Sequence, residues 1–204
     1  MTLSAGIINH LTASLLGSVE LAEEVKAMGE LTKRIPGWSG IYHYCFFRSV
    51  LAILKPKRIL VCGVYHGRDI VFMQLAAKEP VAITGVDLFS DKFCADWPVG
   101  DREKTWNEAV KSAPPSLEAS SRNCRNATII QGNSLDYLKA HAKEFDFIYL
   151  DTSHDYGTVT AEISAIKASG FSGLVAGDDY IHGYNWGVVE AVTEQFPFHL
   201  ALFN

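Results

Sequence analysis

From Lys57 onward, short aliphatic runs alternate with longer runs of helical spacing, and this alternation constrains the fold more than any other feature of the sequence. The strand-type runs are "RILVC" (58–62), "AITGVD" (82–87), "ATIIQ" (127–131), "FDFIYLD" (145–151), "GLVAGD" (173–178) and "FHLALF" (198–203). Each is short and rich in aliphatic or aromatic residues, as a strand covered on both faces should be. Between them, Asp69 precedes "IVFMQLAAK", Asp101 precedes "REKTWNEAVKSA" and Ser134 precedes "LDYLKAHAK", each placed as an N-cap. Val159, Ile163 and Ile166 mark a further helix that stops at Gly170, and Val188, Val189, Val192 and Phe196 mark the last. Strand and helix in strict succession predict an α/β domain with a mostly parallel central sheet and helices on both faces.

At 204 residues the chain suits one domain spanning 1–204, with residues 1–47 as an N-terminal helical and lid segment. Leu11, Leu15, Val19, Ala22 and Val25 recur at helical spacing, so the N-terminus reads as an amphipathic helix rather than a signal or a membrane span. A net charge of -5 with scattered lysines and arginines argues against nucleic acid as a partner. Cys45, Cys62, Cys94 and Cys124 form no CxxC pair and no metal-type spacing, which fits reduced thiols in a cytoplasmic protein.

The polar residues that interrupt these runs fall at strand ends. Gly63 and Gly67 stand in the turn after the first strand, where glycine permits a tight turn and the following helix offers unpaired N–H groups to an anion. Asp87 ends the second strand, where a carboxylate can accept both hydroxyls of a ribose. Gly132, Asn133 and Ser134 end the third and leave room for a flat base. Asp151 ends the fourth strand, and Asp178 and Asp179 end the fifth, so three carboxylates can converge on one sheet edge. Carboxylates that close repel one another unless a cation, a proton or a basic partner joins them, and an all-oxygen set suits Mg²⁺ or a similar hard cation better than zinc. His154, three residues after Asp151, is placed to remove a proton from a bound hydroxyl. The aromatic stretch 35–47, with Trp38 foremost, and the aperiodic stretch 88–100 are candidates for the walls that select a substrate.

In this order the motifs resemble the class I S-adenosylmethionine-dependent methyltransferases, and among them small-molecule O-methyltransferases similar to the catechol and macrocin-type enzymes. "GVYHG" is similar to that group's GxYxG turn, "GNS" to its turn beside adenine, and "DDY" to its metal motif. The resemblance implies a Rossmann-like fold with strand order 3-2-1-4-5-7-6, S-adenosylmethionine as cofactor and a small-molecule hydroxyl as substrate. It implies cofactor contacts from Gly63, Val64, Tyr65, Gly67, Asp69, Asp87, Leu88, Gly132, Asn133, Ser134 and Asp151. Asp151, Asp178 and Asp179 become Mg²⁺ ligands, and His154 the catalytic base in place of a lysine. The chain departs from the group at Val61, where relatives carry an acid, at Asp69, where they carry serine, and in ending after one further strand rather than two. Either the last strand is missing, or a second copy of the chain covers that edge as a homo-oligomer. A metal-free enzyme with His154 as its base, and a binding protein without activity, are the rival readings.

Overall fold

The structure is a computed structural model in which residues 19–90, 110–182, 186–199 and 201 are described. Helices α1 (Val19–Arg34) and α2 (Ile41–Leu54) precede strand β1 (Arg58–Cys62). Then follow α3 (Arg68–Ala76), β2 (Ala82–Asp87), α4 (Leu117–Asn123), β3 (Ala127–Gln131) and α5 (Ser134–His141). After a 3₁₀ turn at Ala142–Glu144 come β4 (Phe147–Leu150), α6 (Tyr156–Ala168), β5 (Leu174–Gly177) and α7 (Val188–Gln195). The five strands form one parallel sheet in the order β3-β2-β1-β4-β5.

Alternate residues of the strands feed two cores. Ile59 and Val61 of β1, with Phe147 and Tyr149 of β4, pack under α2 and α3 against Tyr44, Phe47, Phe72 and Met73. Leu60, Cys62 and Ile148 face the other way, onto Leu138, Ala165 and Ile166 of α5 and α6. This period of two, with both faces covered, is why the central strands are rich in aliphatic and aromatic residues. The half-buried Glu24 joins α1 to this body by accepting hydrogen bonds from Tyr44, Arg48 and Lys78.

The order places the start of the sheet in its middle. β2 and β3 run out to one side of β1, while β4 and β5 run out to the other, so the turns after β1 and β4 diverge and open a crevice at the carboxyl edge. Cys62 pairs with both Val86 and Leu150, Asp87 with Gln131, and Leu150 with Gly177, which brings every strand-end motif to that edge.

Three strands have the expected bounds. β4 is shorter than "FDFIYLD", and before it the Asp146 carboxylate accepts the N–H groups of Lys57 and Arg58, at 2.7 and 2.9 Å. Two caps also move. Gly67 caps α3, leaving Asp69 inside its first turn, and Asn133 caps α5 by accepting from Asp136 N–H, leaving Ser134 as the first helical residue. Asp155 caps α6 through Thr158 N–H, and the helix ends before Gly170 at φ +77°. The described residues of the sixth strand-type run, 198, 199 and 201, carry no strand, and the rest of that run lies outside the described residues. The same holds for most of 1–25, for Cys94 and the rest of 91–100, and for the helix expected after Asp101 up to residue 109, while its described end, 110–112, is helical with Val110 buried. Cys45, Cys62 and Cys124 are buried free thiols. Among the described residues no helix is long and apolar enough to cross a membrane.

Candidate active site

A cavity of about 600 Å³ opens at the carboxyl edge of the sheet, lined by the turns after all five strands and by residues 36–39. Its floor begins at the glycine turn. Gly63 has φ +87°, and a Cβ there would stand 1.7 Å from the Asp151 carbonyl oxygen. Only glycine lets the β1 and β4 turns approach so closely. Tyr65 follows at φ +53°, a strained position for a bulky side chain. Asp87 holds this turn: Val64 and Tyr65 donate their N–H groups to Oδ2 at 2.7 and 2.8 Å, and Phe89 N–H donates to Oδ1 at 2.7 Å. The sequence reading assigned Asp87 to a ribose. The structure gives three of its acceptor positions to the backbone, so its first task is to fix the turn.

Asp151 adjoins the glycine turn, and His154, Asp178 and Asp179 line the same cavity. His154 Nε2 sits 2.7 Å from Asp179 Oδ2 and 3.8 Å from Asp151 Oδ1. Ligand atoms of Asp151, His154 and Asp179 all lie within 4.8 Å of one another. Asp178 is engaged elsewhere. Its Oδ2 meets His43 Nε2 at 2.8 Å, and its Oδ1 accepts Asp179 N–H at 2.9 Å. Gly40 N–H donates to His43 Nδ1 at 3.2 Å, which leaves Nε2 as the ring nitrogen that donates to Asp178. The expected trio of aspartates therefore becomes Asp151, Asp179 and His154, with Asp178 tied to a helix 135 residues away. Asp179 is itself at φ +58°, a conformation asparagine and aspartate tolerate better than most residues.

Electrostatics follow from that packing. Burial, reinforced by the charges of Asp178 and Asp179, raises Asp151 to about 7. Burial opposes charge on His154, but hydrogen bonds and charges from Asp151 and Asp179 prevail and lift it to about 9. Burial also raises Asp69 to about 6. Asp178 is lowered because the His43 hydrogen bond and charge outweigh its burial. Among the described residues Asp69 Oδ1 is buried without a hydrogen-bond partner.

Residues 36–39 form one wall, and Trp38, 49% exposed, lies over the Tyr65 ring at 5.1 Å. Of the other aromatics in 35–47, Tyr44 and Phe47 are core, whereas Tyr42 is exposed. Arg68 fastens this segment. Its guanidinium donates to the carbonyls of Ser39 and Thr32, each at 3.0 Å, and from Nε to Ile35 at 2.8 Å. Arg68→Ala removes charge-assisted bonds and leaves three carbonyls to find water, so it is expected to lower stability by about 2–4 kcal/mol in urea unfolding. It should also open 35–40 to limited proteolysis before the rest of the chain.

The cavity gathers twelve of the residues expected at a site: Gly63, Val64, Tyr65, Asp69, Asp87, Leu88, Asn133, Ser134, Asp151, His154, Asp178 and Asp179. Gly67 and Gly132 are not on its wall. Gly67 packs against Cys124, whose Sγ would lie 2.2 Å from an added Cβ, and Gly132 continues the sheet by donating to Asp87 O at 2.9 Å. The sequence reading did not find Arg68, His43 or Trp186, whose ring stacks 4.7 Å from His154. Gly187, next to Trp186, gave the available signal: its N–H donates to His154 O at 2.8 Å.

A family model described as a methyltransferase domain matches residues 60–180. The structure is similar to that of an O-methyltransferase from Bacillus cereus in complex with SAH, at 14% identity and a TM-score of 0.51, over 86% of this chain and 77% of that one. It is also similar to cofactor-bound Rv0187 from MTB, at 14% identity and a TM-score of 0.51, over 97% of this chain and 85% of that one. Identities this low speak for a shared fold. No curated protein matches the sequence.

Proposed function

The chain belongs to the methyltransferase-domain family and is an S-adenosylmethionine-dependent methyltransferase, and from that premise we propose that it methylates the hydroxyl of a small molecule, with His154 as the base beside a divalent cation. The observation that carries this reading is the cluster of Asp151, His154 and Asp179 on the wall of a cavity that the glycine turn also lines. Two carboxylates and an imidazole are a donor set that fits a divalent cation, and Asp151 and Asp179 are the residues that would hold it. When bound, the cation supplies the positive charge that these carboxylates otherwise draw from a proton on His154, and it polarises the acceptor hydroxyl.

The residues of the chain supply the rest. Asp69, not needed as a cap and with one buried oxygen unpartnered, suits the ammonium of the cofactor's methionine end. His154, braced by Trp186, takes the hydroxyl proton at Nδ1, while its Nε2–H donates to Asp179 Oδ2. Trp38 and Tyr65 exclude water from the transfer, which consumes opposite charges and gains from a dry, preorganised pocket.

Thermal-shift titration tests this reading. Saturating S-adenosylhomocysteine, at about 100 times its Kd, is expected to add about 2.7 kcal/mol and raise Tm by roughly 5–10 °C. Mg²⁺ or Mn²⁺ should add an increment that Asp179→Asn removes. Without a shift from S-adenosylhomocysteine the cofactor reading fails. A shift with no metal increment leaves the metal-free enzyme, which the direct His154–Asp179 pair favours.

A further inference from the structure

Among the described residues Glu162 is a charged side chain with no solvent-exposed surface at all, and its partners are not cations. It stands on α6 and bridges two strand-end turns. Ser134 Oγ donates to its Oε1 at 2.5 Å, and Thr152 Oγ1 donates to its Oε2 at 2.8 Å. Ser134 and Thr152 both line the cavity, whereas Glu162 lies behind them.

The hydrogen-bond arithmetic has a chemical consequence. Burial raises the Glu162 carboxyl, the Ser134 and Thr152 hydroxyls aimed at it favour its ionised form, and an ionised carboxylate can only accept, so it takes the proton of each hydroxyl. Each hydroxyl has one proton, and what remains on Ser134 Oγ and Thr152 Oγ1 is lone pairs. Among the described residues no N–H or O–H donates to either oxygen. This part of the wall is therefore an acceptor surface, which receives an N–H donor and repels a carbonyl. S-adenosylmethionine carries two nitrogen donors, an ammonium and the exocyclic amine of its base. The charged one is matched by the carboxylates of the cavity, and two neutral oxygens match the neutral one.

Resting on the cofactor reading above, we propose that Glu162 is a positioning residue that fixes Ser134 and Thr152 as acceptors, so that the cavity selects a 6-amino purine over a 6-oxo purine. The 6-oxo compound would set its carbonyl against two oxygens whose protons are held elsewhere. Sites built to hydrogen-bond a particular group reject analogues with the wrong one far more strongly than apolar pockets reject a missing methylene.

The test is calorimetric titration of the whole protein with S-adenosylhomocysteine and with S-inosylhomocysteine. The native protein is expected to prefer the amino compound by about tenfold or more, consistent with one mispaired buried hydrogen bond. In Glu162→Gln the amide N–H₂ replaces one carboxylate oxygen. The hydroxyl facing it must accept, and its own proton turns to the cavity. The preference should then fall at least about fivefold, a change that loss of stability alone does not produce. Ser134→Ala and Thr152→Val should each narrow the ratio, and they carry the test if Glu162→Gln does not fold. An unchanged ratio in the folded variants overturns the inference, as does a native protein that binds both compounds equally. A native protein that binds neither overturns the cofactor reading instead.

Discussion

Replacing His154 by alanine is expected to lower methyl transfer by about 10²–10⁴-fold, the range of a lost general base, with S-adenosylhomocysteine affinity close to native. His154 is only slightly exposed and reaches Asp179 at 2.7 Å, and its backbone carbonyl is held by Gly187 N–H at 2.8 Å. The loop is thus fixed by its main chain. Truncating the ring removes the proton acceptor without releasing the turn that carries Asp151 and Thr152. Single-turnover rates beside calorimetric binding separate the two effects. Full activity in the variant would remove His154 from the chemistry, and joint loss of rate and binding would make it a structural residue.

Gly63→Ala should be the most damaging small substitution at the site. Its Cβ would lie 1.7 Å from Asp151 O and 2.5 Å from Asp151 C, atoms of the neighbouring strand's backbone that no rotamer change can move. The positive φ of 87° adds roughly 1–2 kcal/mol. Forcing apart the ends of β1 and β4 brings the expected cost to about 3–5 kcal/mol, a large part of a typical domain's stability. Urea unfolding measures it. Gly170→Ala is the control, because it has φ +77° but nothing within 4 Å of its added Cβ, so it should lose only about 1 kcal/mol. Equal losses in the two variants would show that conformation, not the strand approach, sets the requirement.

The elements of the fold were readable because their causes are local. A run such as "AITGVD" has Thr84 as its one polar side chain before the closing aspartate, and β2 spans that run, Ala82–Asp87. Caps were less readable. Asp69 and Ser134 have the side chains of N-caps, yet a glycine at φ +85° and an asparagine one residue earlier take those positions. Several residue types satisfy the same orphan N–H groups, and tertiary contacts choose among them.

The site divides along the same line. That acids, glycines and a histidine would meet at one edge follows from parallel strands whose ends carry them, and the cavity contains twelve of the expected residues. Which acid faces which partner did not follow. Asp178 and Asp179 are adjacent in sequence, yet one turns to His43 on α2 and the other to His154 after β4. Asp87 reads as a ribose ligand from its place at a strand end, and the structure adds that it lines the cavity while accepting from Val64, Tyr65 and Phe89 N–H. Arg68 and Glu162 sit in ordinary helical sequence, and nothing in their neighbours marks them. The sequence by itself determined the succession of the five strands and the edge at which polar residues collect, because period and backbone propensity act over a few residues, whereas helices α2 and α4 were not legible in it. Only the tertiary structure decided the pairings of His43, His154, Arg68 and Glu162. A buried charge takes whatever donor or acceptor packing brings within 3 Å, and packing joins residues up to 135 positions apart.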